Sequence, residues 1–186
     1  MSSALLVMDV QQAIVDAVDD GSGYLPRLRR AIDGARAAGL LVIYVVIALR
    51  PGFPEVGTRN KPLAAIAGAG LYVEGAPGTE IHPEVAPLPG DVVVTKKRAS
   101  AFSGSDLDLV LRSRGIDSLV LTGIATSAVV LSTVCQANDL DFGLTVLPDA
   151  CLDPDPEVHR VLVERLFPQW AEVVTVDDWV KTLASR

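Results

Sequence analysis

Six short apolar runs rich in β-branched residues, separated by stretches of helical periodicity, leave few folds open to this chain. The runs are Ala4–Val10, Leu40–Ala48, Asp91–Thr95, Ser118–Thr122, Leu144–Leu147 and Glu172–Val176. Most lack the polar alternation of a sheet with one wet face, so they read as strands covered on both sides, as in a parallel sheet. The helical stretches are Leu25–Ala38, which stops at Gly39, Ser105–Arg114, which stops at Gly115, then Ser127–Leu140, Pro156–Phe167 and Asp177–Ala184. Glycine beyond a helix end and Asp-Pro at a helix start are the residues those positions favour. Strand and helix in alternation predict a three-layer α/β/α sandwich around a doubly wound, six-stranded, mainly parallel sheet of Rossmann-like type. At 186 residues the chain is expected to form a single domain spanning 1–186.

One segment breaks the rhythm. Residues 50–90 carry seven of the chain's 12 prolines and seven of its 15 glycines, with room for a short helix at Pro62–Ala69. So long a connection is uncommon inside a compact domain. It leaves the carboxyl end of the second strand, the edge where open α/β sheets bind ligands, and is expected to serve as a pocket wall or lid.

Charge and cysteine content narrow the function classes. Sixteen Lys+Arg against 23 Asp+Glu give a net charge of −7, and no basic stripe offers to neutralise phosphates. Neither nucleic acid nor an anionic membrane is an expected partner. The longest apolar run, Leu40–Leu49, is too short to span a bilayer as a helix. The amino terminus reaches Asp9 without a basic region or a signal-like core, so a cytoplasmic location is expected. Cys135 and Cys151 are the only cysteines, and His82 and His159 fall in no ligand pattern. No metal site, disulfide framework or cofactor is therefore indicated.

Three positions could carry chemistry. Asp9 closes the first run, at a strand end beside the topological switch point, where burial and a nearby cation would set its pKa; capping a loop is the plainer alternative. Lys96-Lys97-Arg98 closes the third run and brings positive charge to the same edge, although a basic triplet can equally be a solvated surface cluster. Gly123-Ile124-Ala125-Thr126-Ser127 joins a buried strand to a helix start, where backbone N–H groups can hold an oxyanion; it can also be a plain connection. Gln11, Phe53 and Phe102 are further candidates for lining a pocket, while His82 is expected to bond its own loop and His159 to lie on the surface.

Taken in order, these segments resemble the isochorismatase-like hydrolase superfamily, the cysteine hydrolase family, almost end to end. Leu5-Leu6-Val7-Met8-Asp9-Val10-Gln11 is similar to its opening strand and aspartate. Lys96 with Ser100-Ala101-Phe102 is similar to its lysine motif, Leu119-Val120-Leu121-Thr122-Gly123-Ile124-Ala125-Thr126 to the strand before its nucleophile, and Val146-Leu147-Pro148-Asp149-Ala150 to the strand that follows. The resemblance implies Asp9 as general acid/base, Lys96 as its lysine partner, a cis peptide at Ile124–Ala125, and oxyanion donors at Ala125 and at the nucleophile position. It also implies a small-molecule substrate and a homo-oligomer, a dimer or larger.

The nucleophile position itself is Val129, which cannot attack a carbonyl, so the thioester route of the family's amidases is not expected here. On a helix beginning near Ser127, Cys135 points about 240° away from Val129, at ~100° per residue, and reads as a buried apolar residue. Cys151 follows a strand end and is closer to the ligand edge. Two readings stand. One is a hydrolase using Asp9 and Lys96 in acid–base chemistry on a small carboxylated or carbonyl-containing molecule, as the family's isochorismatases do without a cysteine. The other is a small-molecule-binding or structural homologue that lost catalysis, with an amidase using a non-standard cysteine as a further variant.

Overall fold

The computed structural model describes residues 2–19 and 21–184. Six strands, β1 (Ser3–Met8), β2 (Leu41–Ile47), β3 (Val92–Lys96), β4 (Ser118–Ile124), β5 (Gly143–Leu152) and β6 (Glu172–Val173), form one sheet in the order β3-β2-β1-β4-β5-β6. Every pairing in it is parallel. All strand carboxyl ends therefore face one edge, and the order reverses between β1 and β4, where a crevice opens.

The apolar runs are strands because their residues are needed on both faces. Leu5 and Val7 of β1 pack into one hydrophobic cluster with helix α2 (Tyr24–Ala37) and helix α7 (Val176–Ala184). Ala4, Leu6 and Met8 pack into the other, with helix α4 (Leu107–Ser113) and helix α5 (Leu131–Asp139). The sheet is thus the middle of three layers, as the sequence predicts.

The differences from the sequence reading are local and have physical causes. Helix α1 (Gln12–Val18) escapes pattern recognition because it is only two turns long. The expected helix from Ser127 instead begins with a π-helical turn, Thr126–Val130, before α5. The one from Pro156 is α6 (Pro156–Val161) followed by a π turn, Leu162–Leu166, and a 3₁₀ turn, Phe167–Gln169. Strand β5 runs past Pro148, which cannot donate to a ladder: Leu121 faces Val146 while Gly123 faces Cys151, so β5 bulges around the proline and resumes pairing.

The connection after β2 contains helix α3 (Lys61–Gly68) and a 3₁₀ turn, Pro83–Val85. Its backbone is tied down at several points. Leu49 donates to Tyr72 and accepts from Glu74 at 2.7 and 2.8 Å, and Gln12 and Ala13 donate to Glu80 and Gly78. A floppy insertion would not be stitched to β2 and α1 in this way.

Gly123, paired with Met8, sets the approach of β4 to β1. At φ 143° a Cβ there would stand 2.2 Å from the Met8 carbonyl oxygen. Gly123→Ala is expected to cost more than ~3 kcal/mol in chemical denaturation, against less than ~0.5 kcal/mol for Gly57→Ala, where a Cβ meets nothing within 4 Å.

Candidate functional site

Asp9 follows β1 directly, in a left-handed conformation with φ 55°, and its backbone N–H donates to Val45. Lys96 is the last residue of β3, two strands away. Neighbouring strands lie about 4.8 Å apart, so a short side chain could not bridge β2. The lysine stem does so, and its ammonium lies 2.9 Å from Asp9 Oδ2. A second N–H of that ammonium donates to the Arg98 carbonyl at 2.9 Å.

Both groups are buried, Lys96 at 1% and Asp9 at 6% exposure. Burial pushes the Asp9 carboxyl above the ordinary carboxylate range, and the Lys96 charge and hydrogen bond pull only part of that shift back. Asp9 Oδ1 is buried without a hydrogen-bond partner. An orphaned carboxylate oxygen is costly in a folded chain, and Asp9 is among the residues that line a cavity of about 300 Å³.

The cavity is built from three directions. Asp9, Lys96 and Ile47 come from strand ends. Ile124, Ala125, Ala128 and Val129 come from the end of β4 and the π turn. Asn60, Pro62, Leu63, Ile66 and Tyr72 come from the connection after β2, with Ile14 and Val18 of α1 beside them. The proline- and glycine-rich segment thus forms a wall of this cavity. Asn60 also caps α3 by accepting from the Leu63 N–H at 3.3 Å. The Tyr72 hydroxyl is pushed up first by burial and then by the negative charge of Asp9.

The turn after β4 has a support of its own. The Ile124–Ala125 peptide is cis. Thr126 is fully buried, its Oγ1 2.8 Å from His159 Nδ1, and Asp153 accepts from the Ser127 N–H at 2.7 Å. His159 is half-buried rather than on the surface as its sequence context suggests, and that burial lowers its pKa, with Asp153 opposing. His82 bonds its own loop through Nδ1, accepting from the Glu84 N–H.

Of the sequence candidates, Asp9, Lys96, Ala125 and Val129 meet at the cavity, and three others lie outside its lining. Gln11 is fully buried with its amide committed: Nε2 donates to the Ile47 and Thr79 carbonyls, and Oε1 accepts from the Ile47 N–H. Phe102 stacks obliquely on Phe142, centroids 5.9 Å apart, in the cluster on the α4–α5 side of the sheet. Phe53 packs on the opposite cluster. Lys97 and Arg98 bond the Ala48, Lys97 and Glu55 carbonyls and fix the loop after β3.

Neither cysteine lines the cavity. Cys135, expected to be buried, is exposed, because α5 buries Thr133, Val134 and Ala137 and leaves the intervening direction in solvent. Cys151 is buried within the bulged strand, its Sγ 3.9 Å from the Leu121 carbonyl, and burial pushes the thiol up to about 12. Among the described residues no cluster of three or more His, Cys, Asp or Glu is placed to hold a metal ion, and no helix is long and apolar enough to cross a membrane.

A family profile, the isochorismatase domain, matches residues 3–178. The chain belongs to the isochorismatase family. Among similar proteins, ureidoacrylate amidohydrolase RutB of Variovorax paradoxus (strain S110) is 35% identical, covering 98% of this chain and 81% of its own. N-carbamoylsarcosine amidase of Thermoplasma acidophilum superposes with a TM-score of 0.79 at 29% identity, over 95% and 98% of the two chains. A cysteine hydrolase of Pseudomonas syringae pv. phaseolicola 1448A shares the fold with a TM-score of 0.90 at 24% identity, over 98% and 92%. Within this isochorismatase-family fold, Asn60, Leu63, Ile66 and Tyr72 are lining residues that sequence reasoning missed. The i, i+3 spacing of Leu63 and Ile66 on the expected short helix was the one available signal. Nothing in the sequence links Thr126 to His159.

The buried pair gives a stability test. Removing one partner strands the other charge, so Asp9→Asn and Lys96→Met are each expected to lose about 3–5 kcal/mol, and the double variant much less than their sum. Urea denaturation of the four proteins reads the coupling directly.

Proposed function

We propose that this protein is a hydrolase in which Asp9 and Lys96 activate water against a small carbonyl-containing substrate, with no covalent cysteine intermediate. The observation that carries the reading is the make-up of the cavity. It holds an acid and a base in contact, and no Cys, Ser, Thr or His is among its lining residues. Val129, at the position where the family resemblance puts the nucleophile, is an apolar wall.

The chemistry follows from the two groups. As a carboxylate, Asp9 takes a proton from water through the free Oδ1, and that water attacks the carbonyl carbon. Lys96 holds the developing charge, with the backbone N–H groups of Ala125 and Val129 as oxyanion donors at the turn. The collapsing intermediate takes the proton back from Asp9 to its leaving nitrogen. The two amidohydrolase relatives favour an amide or ureide carbon–nitrogen bond as the one cleaved. The doubt that Val129 casts on amidase chemistry then applies to the thioester and not to the bond.

Three outcomes are expected in turnover of a panel of amides, ureides and isochorismate followed by mass spectrometry. Asp9→Asn loses at least 10²-fold, the low end for removing a general base. A Cys135→Ser, Cys151→Ala variant that retains its circular dichroism keeps kcat/KM within about threefold; a larger loss would restore a thiol route. Because the base form of Asp9 is the active one and its pKa is raised, activity falls as pH drops through that raised value. In Lys96→Met, which loses the pull of the ammonium, any residual activity has this limb moved further up. The mirror profile, activity falling as pH rises, would mean that Asp9 is a proton donor to an enol ether instead. Ligand binding with no turnover of any member would leave a binding protein.

A further inference from the structure

Resting on that hydrolytic reading, we infer that the site takes an uncharged substrate with an apolar body, a primary amide or ureide on a short aliphatic or aryl group, and discriminates against a carboxylate-bearing one. The charges in the cavity come to zero. Asp9 and Lys96 are the charged side chains among its lining residues, and they neutralise each other at 2.9 Å. No arginine or histidine lines it. A substrate carboxylate buried there would find no cation that is not already shared, and burying an unpaired charge is strongly unfavourable.

What the floor lacks is a matched pair of neutral polar groups. The Lys96 ammonium has three N–H donors, of which one goes to Asp9 and one to the Arg98 carbonyl. Asp9 Oδ1 accepts nothing. One N–H of Lys96 and one oxygen of Asp9 therefore remain without a partner on the same ion pair. That is the complement of an amide, whose carbonyl oxygen accepts from Lys96 while its N–H or the attacking water donates to Asp9. Above this floor the walls are mostly apolar, with Ile14, Ile47, Leu63, Ile66 and Val129, and Asn60 and Tyr72 add neutral polar groups. Such walls favour hydrocarbon, and about 300 Å³ is near the lower end of small-molecule sites. Arg59 and Lys61 are exposed and outside the lining, where solvent already satisfies them and would equally satisfy an anion.

Matched pairs test this. Binding to the wild type is measured by isothermal titration calorimetry for benzamide against 4-carboxybenzamide and for butyramide against succinamate, with turnover of each followed in parallel. The neutral member of each pair is expected to bind at least tenfold more tightly and to show the higher kcat/KM if it is cleaved. Equal or tighter binding of the carboxylates overturns the inference, and so does failure of all four to bind. Selective binding of the neutral members without turnover supports the substrate class while refuting the hydrolytic reading, so the two fail separately. In Ile66→Arg, with folding checked by circular dichroism, an added cation in the wall is expected to improve carboxylate binding at least tenfold. No improvement in the folded variant would mean the wall is not what excludes anions, and would also overturn the inference.

Discussion

The contact between Lys96 and Asp9 over the top of β2 is the constraint to which the rest of the site answers. It exists because three parallel strands end together, so that two residues 87 positions apart in the chain are separated by one strand's width and a lysine stem. It is buried because the connection after β2 folds back over it. The same burial lifts the Asp9 carboxyl above its usual range, and Oδ1 has no hydrogen-bond partner among the protein's own groups. A surface ion pair of the same length would do neither, since water would screen the charges and satisfy the oxygen.

Much of this was legible in the sequence because parallel α/β folds write themselves in runs. Ala4–Val10 and Ser118–Thr122 read as strands covered on both faces, and a strand that ends in Asp or Lys hands that side chain to the ligand edge. That the connection after β2 walls the cavity was legible, but its individual lining residues were not, since a proline- and glycine-rich segment has no period to read. Leu63 and Ile66 look like any short amphipathic turn until α3 is seen against the sheet. The three aromatic and amide candidates illustrate the opposite error. Gln11 and Phe102 sit near motif residues in sequence, yet the Gln11 amide is taken up by the Ile47 and Thr79 backbone, and Phe102 packs into the cluster on the α4–α5 side of the sheet.

Cysteine position was misjudged for a related reason. Cys135 points away from Val129 as expected, but a helix packed on a sheet has solvent on its far side, not a second core, so the residue is exposed. The apolar run Leu144–Leu147 stops short of Cys151, which suggests a strand end before it. The strand instead bulges around Pro148 and continues to Leu152, which draws the thiol into the sheet and leaves the edge to the turn after β4.

The raised pKa of Asp9 also says what the fold gives up to hold this site. A carboxyl whose folded pKa lies above its unfolded value contributes most to stability below the unfolded value, and that contribution is lost as pH rises through the folded one. The ionised, base-competent form is therefore the less favourable one for folding. The surrounding structure must offset it, and it does so away from the pair. Gln11 locks the loop after β1 to β2 and to the connection, and Thr126 with Asp153 fixes the turn that carries Ala125 and Val129. Gln11, a pocket-lining candidate in the sequence, thus holds the walls in place around a carboxylate whose ionised form burial disfavours.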